Sequence, residues 1–158
     1  MPTLTINNAA IHYVEKGESK FGTLVLLHGF PLHSGMWEAQ LDGGLPATWR
    51  IIAPDFRGFG QSAQTRAFTI EQLADDTYAL VEKLNLGKIV LCGLSVGGYV
   101  ALAYAKKYAQ SLRGLILLDT KAEPDTAEGK QNRDRMIAIA NAKGSQPITE
   151  AMLGKLIP

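Results

Sequence analysis

Ser95 lies in the run Cys92-Gly93-Leu94-Ser95-Val96-Gly97-Gly98, where an apolar stretch gives way to a helix-forming one. The spacing Gly93-x-Ser95-x-Gly97 suits a sharp strand-to-helix turn. Such a turn holds the serine Oγ clear of the backbone, and its crowding demands small residues two positions to either side. A helix starting at Val96 adds N–H groups and a field that favours negative charge. A serine so placed is equipped for nucleophilic attack on an acyl carbon, with the oxyanion held by N–H donors. Without that context the same run is a Gly-rich turn with an incidental serine.

Two further runs bear on the chemistry. An oxyanion hole of this kind takes one N–H from the residue after the nucleophile, here Val96, and one from a loop after an earlier strand. Leu27-His28-Gly29-Phe30-Pro31 follows a buried apolar run, which makes Phe30 the second donor and Gly29 the residue that turns its backbone toward the site. Pro54-Asp55-Phe56-Arg57-Gly58-Phe59-Gly60-Gln61-Ser62 is a tight turn after another apolar run. Asp55 and Arg57 suit a charge-assisted pair that pins this loop, a structural role in preference to substrate contact. Cys92, the single cysteine, sits in Ile89-Val90-Leu91-Cys92 and reads as a buried small hydrophobe.

These residues need a frame. Thr3 to Glu15 alternates like two short strands with a turn at Asn7-Asn8. Thr23–Leu27, Trp49–Ala53, Lys88–Cys92 and Leu115–Leu118 are apolar runs suited to strands buried on both faces. Thr69 to Leu84 carries apolar residues at helical spacing, with a capping-box pair at Thr69 and Gln72 and a C-cap at Gly87. Val96 to Tyr108 reads as the next helix. Strand, helix, strand, helix, strand in this order implies a mostly parallel, doubly wound α/β sheet with helices on both faces. The composition shifts near Thr120. Helices are expected around 128–142 and 149–156, dividing the chain into a 1–119 core and a 120–158 helical segment.

The 158 residues are 46% hydrophobic and 20% charged, with a formal net charge of +1, which fits a globular domain and argues against nucleic acid as the main partner. No apolar run approaches the roughly 18–20 residues a membrane helix needs, and the N-terminus lacks the basic and apolar regions of a signal peptide. The expected compartment is the cytoplasm.

Taken together, the chain resembles the α/β-hydrolase family, in particular its bacterial esterase and enol-lactonase branch. The resemblance rests on His28-Gly29-Phe30-Pro31-Leu32, Met36-Trp37, Pro54-Asp55-x-Arg57-Gly58-x-Gly60-x-Ser62 and Gly93-Leu94-Ser95-x-Gly97-Gly98-Tyr99-Val100-Ala101-Leu102. It implies a Ser–His–acid triad acting on a small ester or lactone, with no metal and no organic cofactor. It also implies a helical lid that starts at Thr120. Serine at position 95 is unlike the dehalogenase and epoxide-hydrolase branches, which use aspartate there.

The family's triad runs in chain order Ser, acid, His, yet the histidines here are His12, His28 and His33, all before Ser95. His28 is the first candidate for a substitute base and His33 the second; His12 is expected at the surface. Asp119, ending the strand after the nucleophile helix, is either the acid or a cap on the strand end. The resemblance also implies that the family's last strands are absent. The strand at 115–118 then becomes an open apolar edge, a template for self-association or for a complementary C-terminal segment. Two other readings are a non-catalytic or two-chain module of the same fold, and a dinucleotide-binding oxidoreductase, for which the chain lacks G-x-G-x-x-G.

Overall fold

A computed structural model describes residues 2–63 and 67–156, the side chains of 154–156 excepted. The chain forms two compact units, one ending at Ala122 and the other running from Glu123. The first unit thus extends three residues beyond Asp119.

In the first unit the strands β1 (Thr3–Ile6), β2 (Ala9–Lys16), β3 (Gly22–Leu27), β4 (Trp49–Pro54), β5 (Ile89–Leu94) and β6 (Leu112–Leu118) form a sheet of order β1-β2-β4-β3-β5-β6. Asn7 and Asn8 both take positive φ, 44° and 64°, which makes the tight hairpin pairing Ile6 with Ala9. The pairs β1/β2 and β2/β4 are antiparallel, while β4/β3, β3/β5 and β5/β6 are parallel. The inner parallel strands β3, β4 and β5 are rich in β-branched residues and leucine because both their faces are covered.

The two-residue period of a strand divides that cover. Val25, Leu27, Ile52 and Leu91 enter one core with Leu73, Leu80, Val100 and Tyr104 from the helices α1 (Ile70–Lys83) and α2 (Val96–Tyr108). Leu26, Ile51, Ala53 and Cys92 point to the other face, where Trp37, Met36, Leu41 and Leu45 meet them from short turns at Ser34–Trp37 and Gln40–Gly44. Within this unit both helices therefore lie on one face and irregular turns cover the other, whereas the sequence pattern predicts helices on both. Each fully buried aliphatic side chain stabilises the unit by about 1.5–3 kcal/mol.

Helix α1 starts where the capping pattern places it: Thr69 Oγ1 accepts the Gln72 N–H at 3.1 Å. Its end differs from expectation. The left-handed C-terminal residue is Asn85 (φ 51°), with Asn85 N–H bonded to Glu82 O and Leu86 N–H to Val81 O. That is a complete Schellman closure two residues before Gly87, and asparagine tolerates the conformation.

The second unit holds α3 (Ala127–Lys143) and α4 (Gln146–Leu156), which pack on each other. Thr126 caps α3 by accepting the Gly129 N–H at 3.1 Å. Among the described residues no helix is long and apolar enough to cross a membrane.

Among the described residues strand β6 pairs only with β5. Its Leu115, Ile116, Leu117 and Leu118 are 37%, 41%, 42% and 37% exposed, so both faces of the strand are open. An apolar edge without a charge or proline in its core is adhesive. Light scattering on the 158-residue chain is expected to exceed the 17.1 kDa monomer as concentration rises. Leu117→Lys should move that onset to higher concentration. A cooperative monomer at every concentration would show that the edge does not associate.

Candidate active site

Ser95 joins β5 to α2 with φ 51° and ψ −113°, a backbone state that few side chains tolerate. Strand β6, helix α2 and Thr120 enforce it. The Ser95 N–H donates to Leu118 O at the end of β6 (3.0 Å), and its carbonyl accepts the N–H groups of Gly98 (2.9 Å) and Tyr99 (3.3 Å). The Thr120 hydroxyl donates to the same carbonyl at 2.8 Å. The side chain takes no part in capping α2 and is half-buried.

The glycines around it are required by contact. A Cβ on Gly93 would lie 2.2 Å from Gly97 O, and one on Gly97 would lie 2.4 Å from Leu27 O and 2.8 Å from His28 O. The turn closes only because both are bare. The loop after β3 packs against it: a Cβ on Gly29 would be 3.6 Å from Ser95 Cβ. Leu32 N–H returns to Gly29 O at 2.9 Å, closing a turn around the cis Phe30–Pro31 peptide. Neither the Phe30 nor the Val96 N–H has a hydrogen-bond acceptor among the described residues. The two donors that the sequence singles out thus flank Ser95 on adjoining segments, uncommitted.

His28 has another task. Its ring is fully buried, and Nε2 accepts the Phe56 N–H at 3.0 Å. Nε2 is therefore unprotonated, and Nδ1–H donates to Gly29 O at 3.0 Å. With both nitrogens engaged, His28 is not a substitute base; it ties the loop after β3 to the loop after β4. Phe56 and Phe59 pack on the ring, with centroids at 4.4 and 5.3 Å.

The loop after β4 corrects a second expectation. Arg57 does not pair with Asp55. It forms a bidentate pair with Asp76 of α1, Nε to Oδ2 and Nη2 to Oδ1 both at 2.6 Å, with the two side chains only 7% and 8% exposed. Asn7 Nδ2 adds a third bond to Asp76 at 3.0 Å. Asp55 instead accepts the N–H groups of Ser34 (2.7 Å) and Gln61 (2.8 Å). Burial pushes its carboxyl upward, but those N–H donors outweigh it and the pKa ends below the usual value. Asp76 escapes sequence reading because it is a charged residue on the buried stripe of an amphipathic helix. That placement is itself the signal of a buried pair.

His12 is buried in β2, not at the surface. Its N–H donates to Ser62 Oγ and its carbonyl accepts the Asp55 N–H, both at 2.9 Å. His33 is exposed, with Nδ1 accepting the Gly35 N–H at 3.1 Å. Asp119 is exposed in a left-handed turn (φ 41°), and its carboxylate has no hydrogen-bond partner among the described residues. It stands one residue from each of the two β6-end contacts to Ser95. Cys92 is buried, and desolvation pushes its thiol up to about 11, so it packs as a hydrophobe. Among the described residues no cluster of three or more His, Cys, Asp or Glu side chains is arranged to hold a metal.

The geometry has relatives. A profile described as the alpha/beta hydrolase fold matches residues 22–143. A thermophilic esterase from Thermogutta terrifontis superposes with a TM-score of 0.88 at 42% identity, covering 97% of this chain and 57% of that one. The enol-lactonase from Burkholderia xenovorans LB400 superposes with a TM-score of 0.85 at 28% identity, covering 96% of this chain and 58% of that one. An AB hydrolase superfamily protein of Bacillus subtilis is 34% identical over 141 residues, 84% of this chain and 52% of that protein. The chain thus spans about half the length of the relatives it matches. These matches overturn the dinucleotide-binding alternative.

Burial holds the His28 pKa below its ordinary 6.5, against the upward pull of the Gly29 carbonyl and of Asp55. The unfolded chain therefore binds more protons than the folded one as pH falls through 6.5 toward the lower folded value. Thermal melting is expected to be insensitive to this group above that pH and to lose stability below it. His28→Asn should lower the midpoint near neutrality and remove this step from the pH profile. A step of the same size in His28→Asn would assign it to another group.

Proposed function

We propose, from the premise that this chain belongs to the α/β-hydrolase family, that Ser95 is the nucleophile of a carboxylic ester or lactone hydrolase. The observation that carries the reading is Ser95 at φ 51° and ψ −113° at the head of α2, with the Gly29–Phe30 turn packed against it. In the reaction Ser95 Oγ bonds to the acyl carbon while its proton passes to a base. The carbonyl oxygen becomes an oxyanion that the Phe30 and Val96 N–H groups receive. The C–O bond to the alcohol then breaks, and the alcohol leaves with the proton. Water, deprotonated by the same base, attacks the acyl carbon; the bond to Ser95 Oγ breaks, Oγ takes the proton from the base, and the carboxylic acid leaves. A lactone follows the same path, its alcohol staying tethered.

None of the three histidines is set up as that base. His12 is buried in the sheet, His28 has both nitrogens bonded, and His33 caps an exposed turn. The base is therefore assigned to polypeptide outside these 158 residues, continuous with the chain or supplied as a second segment. Asp119, between the two residues that bond the Ser95 backbone, is the candidate acid. In this reading α3 and α4 begin the lid that selects the substrate.

Two measurements test the reading. A fluorophosphonate probe should modify Ser95, seen by peptide mass spectrometry, and Ser95→Ala should abolish that product. Modification of another serine would sink the assignment. On a simple aryl ester the 158-residue chain should turn over with kcat well below about 1 s⁻¹, the low end of ordinary enzymes. The hole and binding alone retain about 10³–10⁴-fold over water when a triad member is missing. A higher rate would require a base within the chain. His33→Ala is then the variant to lose it.

A further inference from the structure

We infer that Thr120 is a positioning residue for the oxyanion donor at Val96. The inference rests on the assignment of Ser95 as nucleophile, and it follows from the peptide unit between the two residues. A trans peptide is planar, with its C=O and N–H pointing in opposite directions. Whatever fixes the Ser95 carbonyl therefore also aims the Val96 N–H. That carbonyl receives the Gly98 and Tyr99 N–H groups from inside α2, and the Thr120 hydroxyl at 2.8 Å from outside it. The helix bonds alone let this first peptide tilt with the fraying end of α2. The Thr120 bond ties it to β6, a separate element.

The approach of Thr120 is built into the fold. Asp119 at φ 41° turns the chain sharply after β6, so that Thr120 comes back over the start of α2. Space for it exists because position 98 lacks a side chain. A Cβ there would lie 2.4 Å from Thr120 Oγ1 and 2.5 Å from both Thr120 Cβ and Cγ2. Gly98 therefore has a reason to be glycine apart from the Gly93/Gly97 contacts of the turn itself. Leu118 O takes the Ser95 N–H at 3.0 Å, so residues 118 and 120 grip the nucleophile's backbone at both its N–H and its carbonyl.

Thr120→Val keeps the shape and removes the donor, while Thr120→Ser keeps the donor and removes the methyl. One net hydrogen bond predicts a rate loss of about 3–10-fold. Phosphonylation of Ser95 should slow by that factor in T120V and stay within about twofold of the parent in T120S. The Val96 amide, followed by 15N–1H correlation and by hydrogen exchange, should shift and exchange faster in T120V but not in T120S. Equal phosphonylation in T120V and the parent would overturn the inference and leave Ser95 as nucleophile. An unmoved Val96 amide in T120V would overturn it whatever the rates. Failure of the parent chain to label at Ser95 would overturn the nucleophile assignment and the catalytic role with it. The Val96 amide would still report in that case whether Thr120 orients the peptide.

Discussion

The backbone of Ser95 is held in a conformation it would not adopt on its own, and much of the fold serves to hold it there. A φ of 51° with ψ of −113° costs of order 1–3 kcal/mol. It persists because contacts from several elements over-determine it. Strand β6 takes the N–H, α2 and Thr120 take the carbonyl, and the end of β3 presses against Gly97. Three parallel strands must end at nearly the same level for this to work. The register does that: Leu27 lies beside Gly93, and Gly93 beside Leu117. The strain is thus sustained by the sheet, and its product is a hydroxyl standing free at the strands' C-terminal edge.

Around that point lies a ring of buried polar contacts, which are costly unless every partner is in place. His28 links the loops after β3 and β4, Asp55 links the β4 loop to the Ser34 turn, and Arg57 links it to α1 through Asp76. Each bond is local, but together they fix the Gly29–Phe30 turn with respect to Ser95. Removing one partner of the Arg57–Asp76 pair would leave a charge buried, with a penalty of about 3–5 kcal/mol. A buried pair of this kind gives little net stability over an apolar substitute; here it joins the loop after β4 to α1. That kind of rigidity is what fixed N–H donors require, because a donor that must reorient during the reaction loses its advantage.

Sequence reading found the parts governed by short-range rules. The strand-to-helix turn at Ser95, the Asn7-Asn8 hairpin and the Thr69 cap each depend on residues within a few positions of one another. It failed where the partner is distant. Asp55 is the near neighbour of Arg57 in sequence, but its bidentate partner is Asp76, far along the chain in α1. An alternating strand does not say which of its faces is covered, so the pattern alone does not bury His12. Helices were expected on both sheet faces, yet Trp37, Leu41 and Leu45 from irregular turns cover one of them. Such turns carry no periodic signal. Thr120 was invisible for the same reason, since its meaning depends on the fold-back after β6 and on the bare Cα of Gly98.

Acyl transfer at a serine divides into fixed electrostatics and proton movement. In the proposed reaction the fixed part is the strained Ser95 turn with the Phe30 and Val96 N–H groups as donors, all from residues before 121. The moving part needs a base with a free lone pair beside Oγ, and the histidines present have been given to structure instead. His28 shows why one residue cannot do both. Burial and two hydrogen bonds make it a good pin, and the same two bonds leave it no lone pair to accept a proton. Strand β6 stands beside this site: its end grips the Ser95 backbone, and its apolar side chains are exposed.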